Sequence, residues 1–230
     1  MIGIVISTEL EAAVLLEHLA GEQRRPLQSK DFHTGLLKGA AETVLCICGV
    51  GKANAAHGTT MLIEHFRPRI VYSLGVAGAY PSAGLGVGDI AVAEREVYGD
   101  EGVVLGESFC TMERIGLPLV SKGDRVYYNE LPMTVPPALE GFSPRGTFIT
   151  VSSCSGTLDR GRMLERYFNG ICETMEGAAV AHICTLAGVP AAGIRGISNI
   201  IEDRSGQPLR KSDIITAAET VQRFFLERVI

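Results

Sequence analysis

The sequence predicts an α/β fold, a largely parallel sheet flanked by helices, and three observations carry that prediction. Short β-rich runs alternate with helical patterns along the chain. Of 230 residues, 46% are hydrophobic and 20% charged, enough for one sizeable core. No repeat, linker or low-complexity tract interrupts the pattern, so residues 1–230 are expected to form one domain. Aromatic residues are only 6% and Trp is absent, so Val, Ile, Leu and Ala must build the core.

The elements follow in order. Ile2 to Ser7 reads as the first strand, and Glu9 to Leu19 as a helix with Leu10, Val14, Leu15 and Leu19 on one face. Strand-like runs lie near His33 to Leu37 and Thr43 to Cys48. Gly51 to Phe66 is helical and closes at Arg67-Pro68, because proline disfavours helix at the residue before it. Arg69 to Leu74 and Gly88 to Val97 are strands. The stretch from Gly106 to Pro144 mixes Pro, Gly and polar residues and reads as loop with a short helix, a candidate lid or subunit contact. Thr147 to Val151 is a strand, Asp159 to Phe168 a helix, and Ile171 to Thr174 a short strand. A small-residue helix from Glu176 to Leu186 ends at Gly188, which tolerates the positive φ of a C′ position. Pro190 to Ser198 is a strand, and Ser212 is expected to cap a final helix through Arg228.

Composition excludes several functions. The net charge is −5, from 21 basic and 26 acidic residues, with no basic stripe, so a small ligand is favoured over a nucleic acid. No run of about 18 apolar residues suggests a membrane span. The N-terminus opens into an apolar strand pattern without a basic region or cleavage site, so no signal peptide is expected. The six cysteines sit in apolar or small-residue surroundings and read as buried, reduced thiols of a cytoplasmic protein. No metal site is expected, since neither Cys46 and Cys48 nor the five histidines have ligand spacing.

Two glycine patterns are weak. Gly84, Gly86 and Gly88 lead into a strand, whereas a dinucleotide site needs the glycine turn to open a helix. In Gly49-Val-Gly51-Lys52 the spacer is too short for a phosphate loop, leaving a helix start close to a ligand or a plain strand-to-helix turn. The carboxylates say more. Glu9 and Glu11 follow the first strand at the carboxyl edge of the sheet, where only one can face a pocket. Either could equally be a first-turn partner of the helix dipole. Glu176 opens a helix whose next residues are all small, which permits close approach of a ligand, a partner of the helix dipole being the equal alternative. Asn199 ends a strand, where asparagine is also a common turn former.

Six segments occur together in one order. They are residues 2–11, 49–55, 75–78, 87–90, 175–179 (Met-Glu-Gly-Ala-Ala) and 195–199 (Arg-Gly-Ile-Ser-Asn). With these the chain resembles the purine nucleoside phosphorylase/nucleosidase superfamily over most of its length, failing only around residues 105–145. The resemblance implies a three-layer α/β/α fold around a mixed, partly barrel-like sheet, no cofactor, and a homodimer or higher homo-oligomer. It implies that Met175 and Glu176 bind the ribose. Ala77 and Gly78 would lie against the nucleoside, Asn199 would hold the leaving purine, and Glu11 would orient or deprotonate water, with Glu9 or Asp203 as alternatives. The reaction would pass through an oxocarbenium-like sugar with negative charge on the departing base.

Three departures refine that picture. Adenine-specific nucleosidases carry Asp at position 199, whereas an amide can donate to a 6-oxo group and accept from a protonated N7. A hypoxanthine-type base is therefore expected, and the segments 173–179, 195–199 and 203–204 look closest to futalosine hydrolases, which act in an alternative menaquinone pathway. Phosphorylases place Arg and Ser where this chain has Ser73 and Val76, so water is the expected nucleophile. Nucleosidases often stack the purine on a Phe in the segment 152–157, which here holds only small residues. Gly156 and Thr157 are left to make backbone contacts, and the stacking partner is unidentified. Arg204, with Arg210 or Lys211 behind it, would meet the carboxylate of the group beyond the ribose. The alternatives are a methylthioadenosine/S-adenosylhomocysteine nucleosidase and a non-catalytic nucleoside-binding protein.

Overall fold

The fold was analysed in a computed structural model that describes residues 1–106, 108–204, 206 and 209–230. In chain order the elements are β1 (Ile2–Ile6), α1 (Glu9–Glu17), β2 (Leu19–Leu27), β3 (Lys30–Leu37), β4 (Ala41–Ile47), α2 (Lys52–Phe66), β5 (Val71–Ala79) and β6 (Ile90–Tyr98). There follow β7 (Gly102–Leu105), β8 (Ser108–Thr111), β9 (Val120–Lys122), β10 (Arg125–Tyr127), β11 (Glu130–Pro132), β12 (Arg145–Thr150), α3 (Leu158–Phe168), β13 (Gly170–Thr174), α4 (Gly177–Ala187), β14 (Ala191–Ile200) and α5 (Lys211–Arg228).

Ten strands form one mixed sheet in the order β11-β6-β12-β13-β5-β1-β4-β3-β2, and β14 pairs with both β5 and β6. That double pairing closes β5, β14, β6, β12 and β13 into a five-stranded ring, from which β1, β4, β3 and β2 extend as an arm. Every strand of the ring contributes to one buried cluster, formed by Ala77, Ala79, Ala91, Ala93, Phe148, Cys172 and Ile197. Four alanines around one phenylalanine suit the narrow interior of a small ring.

Helices cover both faces of the arm, giving three layers. Ile2, Ile4 and Ile6 of β1 pack with residues of α1 and α5, including Leu15 and Phe225, while Val5 packs with Leu62 of α2 and Val180 of α4. This two-sided burial follows from the period-two alternation of strand side chains. No helix among the described residues is long and apolar enough to cross a membrane.

Some expectations need correction. The sheet is mixed rather than largely parallel, because β2/β3, β3/β4, β13/β5, β14/β6 and β11/β6 are antiparallel. Strand β2 was missed because residues 20–26 are exposed and carry no apolar alternation. The segment 106–144, of which Glu107 lies outside the described residues, holds β8 to β11 and one 3₁₀ turn at Pro137–Leu139 rather than an α-helix. Helix α5 starts at Lys211 with Arg210 at the N-cap and no side-chain cap, and Ser212 instead donates to Asp213. Four cysteines are buried, but Cys110 is half-buried and Cys154 exposed, all six being free thiols. Gly188 does end α4, with φ 75°.

Candidate active site

Strand β5 pairs with β1 from Val71 to Ser73 and with β13 at Gly78 and Ala79. Between these stretches β1 and β13 diverge, leaving that edge of β5 unpaired at the carboxyl end of the sheet, where open α/β folds place ligands. A cavity of about 370 Å³ lies there, lined by residues that include Glu11, Ala77, Gly78, Met175, Glu176, Asn199 and Arg204. Seven of the nine expected site residues thus meet around one space.

Glu11 enters from α1. Thr8 is the N-cap, its hydroxyl accepting from the Glu11 amide at 3.3 Å, and Thr-x-x-Glu is the sequence of a capping box. The carboxylate does not close the box. It accepts from the Thr8 hydroxyl at 2.8 Å and from the Val76 amide at 3.0 Å, within the unpaired stretch of β5. The approach needs glycine at position 75, since a Cβ there would stand 2.7 Å from Glu11 Oε1. Burial raises the pKa of Glu11 above its usual 4.5, and the nearby Glu176 adds to the rise. The bonds from Thr8 and Val76, and the charge of Arg195, act the other way. A carboxylate of raised basicity is a better acceptor for a proton from water.

Arg195 is the buried cation beneath these groups. It donates to the Ser73 carbonyl and, at 2.9 Å, to the Ser73 hydroxyl. Glu9, by contrast, is exposed, and Asp203 accepts from the Leu158 amide at 2.8 Å, outside the residues lining the cavity.

Glu176 sits at the N-cap of α4 but makes no capping bond to it. Its Oε1 accepts from the Gly51 amide, which opens α2 with φ 94°. The turn at Gly49-Val-Gly51-Lys52 therefore holds a carboxylate of the chain itself, while Lys52 pairs with Asp100 and Glu101.

Asn199 owes its direction to a β-bulge. Ile197 pairs with Ala77 and Asn199 with Gly78, so Ser198 is an extra residue in β14. Without it, Asn199 would share the face of Ile197 and point into the ring; the bulge turns it to the cavity. Its Oδ1 accepts from the Ser198 hydroxyl at 3.0 Å, and its buried Nδ2 has no partner among the described residues. Unpaired buried donors are rare, and this one lines a ligand-sized space.

Gly156 and Thr157 lie outside the lining. The Gly156 carbonyl accepts from the Arg204 amide at 3.1 Å, and Thr157 caps α3. Arg210 lines an adjoining cavity that shares Asn199, Arg204 and Leu209, and Lys211 is exposed. Sequence reasoning missed Glu173. It lines the cavity and accepts from the Ser155 amide at 2.6 Å and hydroxyl at 2.7 Å, and burial raises its pKa despite those bonds. Its nearness to Met175 and Glu176 in sequence was the available signal. Among the described residues the lining includes no aromatic side chain; its apolar members include Leu10, Val50, Leu209 and Ile214. No group of three or more His, Cys, Asp or Glu among the described residues is arranged to hold a metal.

The sequence description of the phosphorylase superfamily matches residues 1–230. The chain belongs to the phosphorylase superfamily. Within that superfamily it is 33% identical over 208 residues, 89% of this chain and 86% of the relative, to a 5'-methylthioadenosine/S-adenosylhomocysteine nucleosidase of Geobacillus kaustophilus. Two solved structures share the superfamily fold. The MTA/SAH nucleosidase of Streptococcus pneumoniae with 8-aminoadenine has a TM-score of 0.83 at 24% identity, covering 99% of this chain and 98% of that one. The futalosine hydrolase of Helicobacter pylori has a TM-score of 0.81 at 22% identity, covering 99% and 96%. This member of the superfamily is an N-glycosyl hydrolase.

Proposed function

We propose that the enzyme hydrolyses a 6-oxopurine nucleoside, futalosine, to hypoxanthine and dehypoxanthinyl futalosine in the cytoplasm. The observation that carries this reading is the Asn199 amide, whose buried Nδ2–H donors have no partner among the described residues and lie beside the cavity. A 6-oxo group accepts from such a donor. A 6-amino group offers only its own donors, a mismatch of about 1–3 kcal/mol when buried.

The remaining roles follow from the charge that develops during cleavage. Glu176 accepts from the ribose hydroxyls, with Met175 under the sugar, and charge-assisted bonds of this kind are about twice as strong as neutral ones. Glu11 takes a proton from the attacking water, the oxocarbenium-like sugar accepts that oxygen, and Asn199 stabilises the departing base. Ala77 and Gly78 provide the backbone wall, and Arg204 faces the carboxylated group beyond the ribose. Water rather than phosphate is the nucleophile, since the Ser73 hydroxyl is occupied by Arg195 and Val76 offers only its amide, already held by Glu11. Exposed Val103, Val104, Leu105 and Leu117 support a homo-oligomer, in which a neighbouring chain would supply the missing stacking group.

The likeness to a 5'-methylthioadenosine/S-adenosylhomocysteine nucleosidase favours a second reading, hydrolysis of methylthioadenosine or S-adenosylhomocysteine. Futalosine, inosine and methylthioadenosine should be offered to the purified enzyme with and without phosphate, and the released base followed by chromatography. Phosphate-independent release of hypoxanthine from futalosine, faster than adenine from methylthioadenosine, is the expected result. Preferential adenine release would replace it with the second reading, and tight binding without any release would make the protein a nucleoside binder.

A further inference from the structure

We propose that Glu96 is a positioning residue of this site, acting through the hydroxyls of Thr150 and Thr174 to hold the start of α4, and with it Met175 and Glu176, at the sugar end of the cavity. The proposal rests on reading that cavity as a nucleoside site.

Helix α4 begins without a cap from its own N-cap residue, because the Glu176 carboxylate is bonded to Gly51. Its first amides are satisfied from neighbouring strands instead. Gly177 N donates to Thr174 Oγ1 at 3.4 Å, and Ala178 N to Thr150 Oγ1 at 2.8 Å. The two hydroxyls are 3.1 Å apart, and Thr150 donates to Glu96 Oε2 at 3.1 Å. A hydroxyl has one proton and two lone pairs. With its proton on Glu96, Thr150 accepts from both Ala178 and Thr174, so every donor in the chain runs from the helix start toward Glu96.

Glu96 is the final acceptor and is wholly buried. A bulge in the β6–β12 pairing sets it there: Ala93 pairs with Gly146 and Arg95 with Thr147, leaving Glu94 extra, so that Glu94 and Arg95 both face outward and Glu96 turns inward. Its other oxygen, Oε1, has no partner among the described residues and lies against Gly177, where a Cβ would fall 1.8 Å away. The helix start is thus pressed directly onto the carboxyl group. The charged and titratable groups around it are Arg195 of β14, Glu176 before α4, Cys172 of β13 and Tyr98 of β6 itself. Burial, the largest influence, lifts Glu96 to about 7, so its charge changes near neutrality within this array.

The test compares inosine with 2′-deoxyinosine as substrates for the parent enzyme and for Glu96→Ala, Glu96→Gln, Thr150→Val and Thr150→Ser. If Glu96 acts through the contact of Glu176 with the sugar, Glu96→Ala and Thr150→Val should each lower kcat/KM for inosine by roughly 10², the scale of an ångström-sized misplacement. The loss on the 2′-deoxy substrate should be much smaller. Glu96→Gln and Thr150→Ser keep the acceptor and the hydroxyl, and should recover most of the loss. Glu96→Gln should also flatten any inflection near pH 7 in the rate profile.

Equal losses on both substrates, or unchanged kinetics in Thr150→Val, would overturn the proposal. The Thr150 pair keeps it testable where Glu96→Ala does not fold. A parent enzyme that cleaves only adenine nucleosides would refute the substrate reading instead, and the same comparison would then use adenosine and 2′-deoxyadenosine.

Discussion

Glu176 Oε1 accepts a 2.7 Å hydrogen bond from the amide of Gly51, so the carboxylate at the start of α4 is held by the start of α2. Glu11 likewise lies in the first turn of α1. Both acids therefore sit at helix starts, where the helix dipole favours negative charge. They approach each other closely enough that Glu176 raises the proton affinity of Glu11.

That coupling gives Glu11 a signature in pH. Its folded-state pKa lies above the usual 4.5, chiefly through burial. The folded protein then binds this proton more tightly than the unfolded chain. The stabilisation is fully present below about 4.5 and is lost as pH rises through the raised value. Glu11→Gln is therefore expected to raise Tm at pH 7 relative to the parent and to leave it little changed at pH 4. It should lower kcat by roughly 10² or more. Melting curves at the two pH values, with rates beside them, check both halves.

Asn199→Asp should move the preference toward adenine nucleosides. Loss of the donor to a 6-oxo group corresponds to about 1–3 kcal/mol, or roughly 5- to 150-fold in kcat/KM for hypoxanthine nucleosides. Rates on inosine and methylthioadenosine for parent and variant provide the ratio. An unchanged ratio would separate position 199 from base recognition.

Arg204→Ala should raise KM for futalosine by roughly tenfold or more, as expected for removal of a charge-assisted hydrogen bond. Inosine, which lacks the carboxylate, should be cleaved as before. Parallel effects on the two substrates would rule out a carboxylate contact.

Gly75→Ala tests the approach between β5 and α1. The new Cβ would fall 2.7 Å from Glu11 Oε1, so the side chain must shift from its bond with Val76. Measured well below a lowered Tm, activity should still fall by roughly tenfold or more; Tm itself falls because position 75 holds φ 156°, which a residue with a Cβ rarely adopts. Rates and melting curves of the variant distinguish this from general destabilisation.

Periodicity and turn chemistry revealed much of the scaffold, since helices α2, α3 and α4 and strands β1, β4 and β13 bury apolar faces that their sequences display. Strand β2 buries almost none of its length and left no such trace. The fate of Glu11 was not legible locally. Thr-x-x-Glu signals a capping box, and only the fold brings Val76, 65 residues away, within reach of its carboxylate. Glu96 falls within the strand read from Gly88 to Val97, where regular alternation would place it on the outward face with Glu94, but a bulge reverses the alternation and buries it. A second bulge aims Asn199. In both places one extra residue decides which way a side chain faces, and strand periodicity cannot show that in advance.

A sheet that closes on itself has no outer strand to peel away and no register to slip. Because β5, β13 and β14 all belong to the ring, the parts of the cavity wall they supply are fixed relative to one another. Room to admit a nucleoside and release its products is thereby assigned to the other walls, α1 and the chain beyond Ile200. Changes in how quickly ligands come and go should accumulate there, while changes in which base is accepted should accumulate on the closed strands.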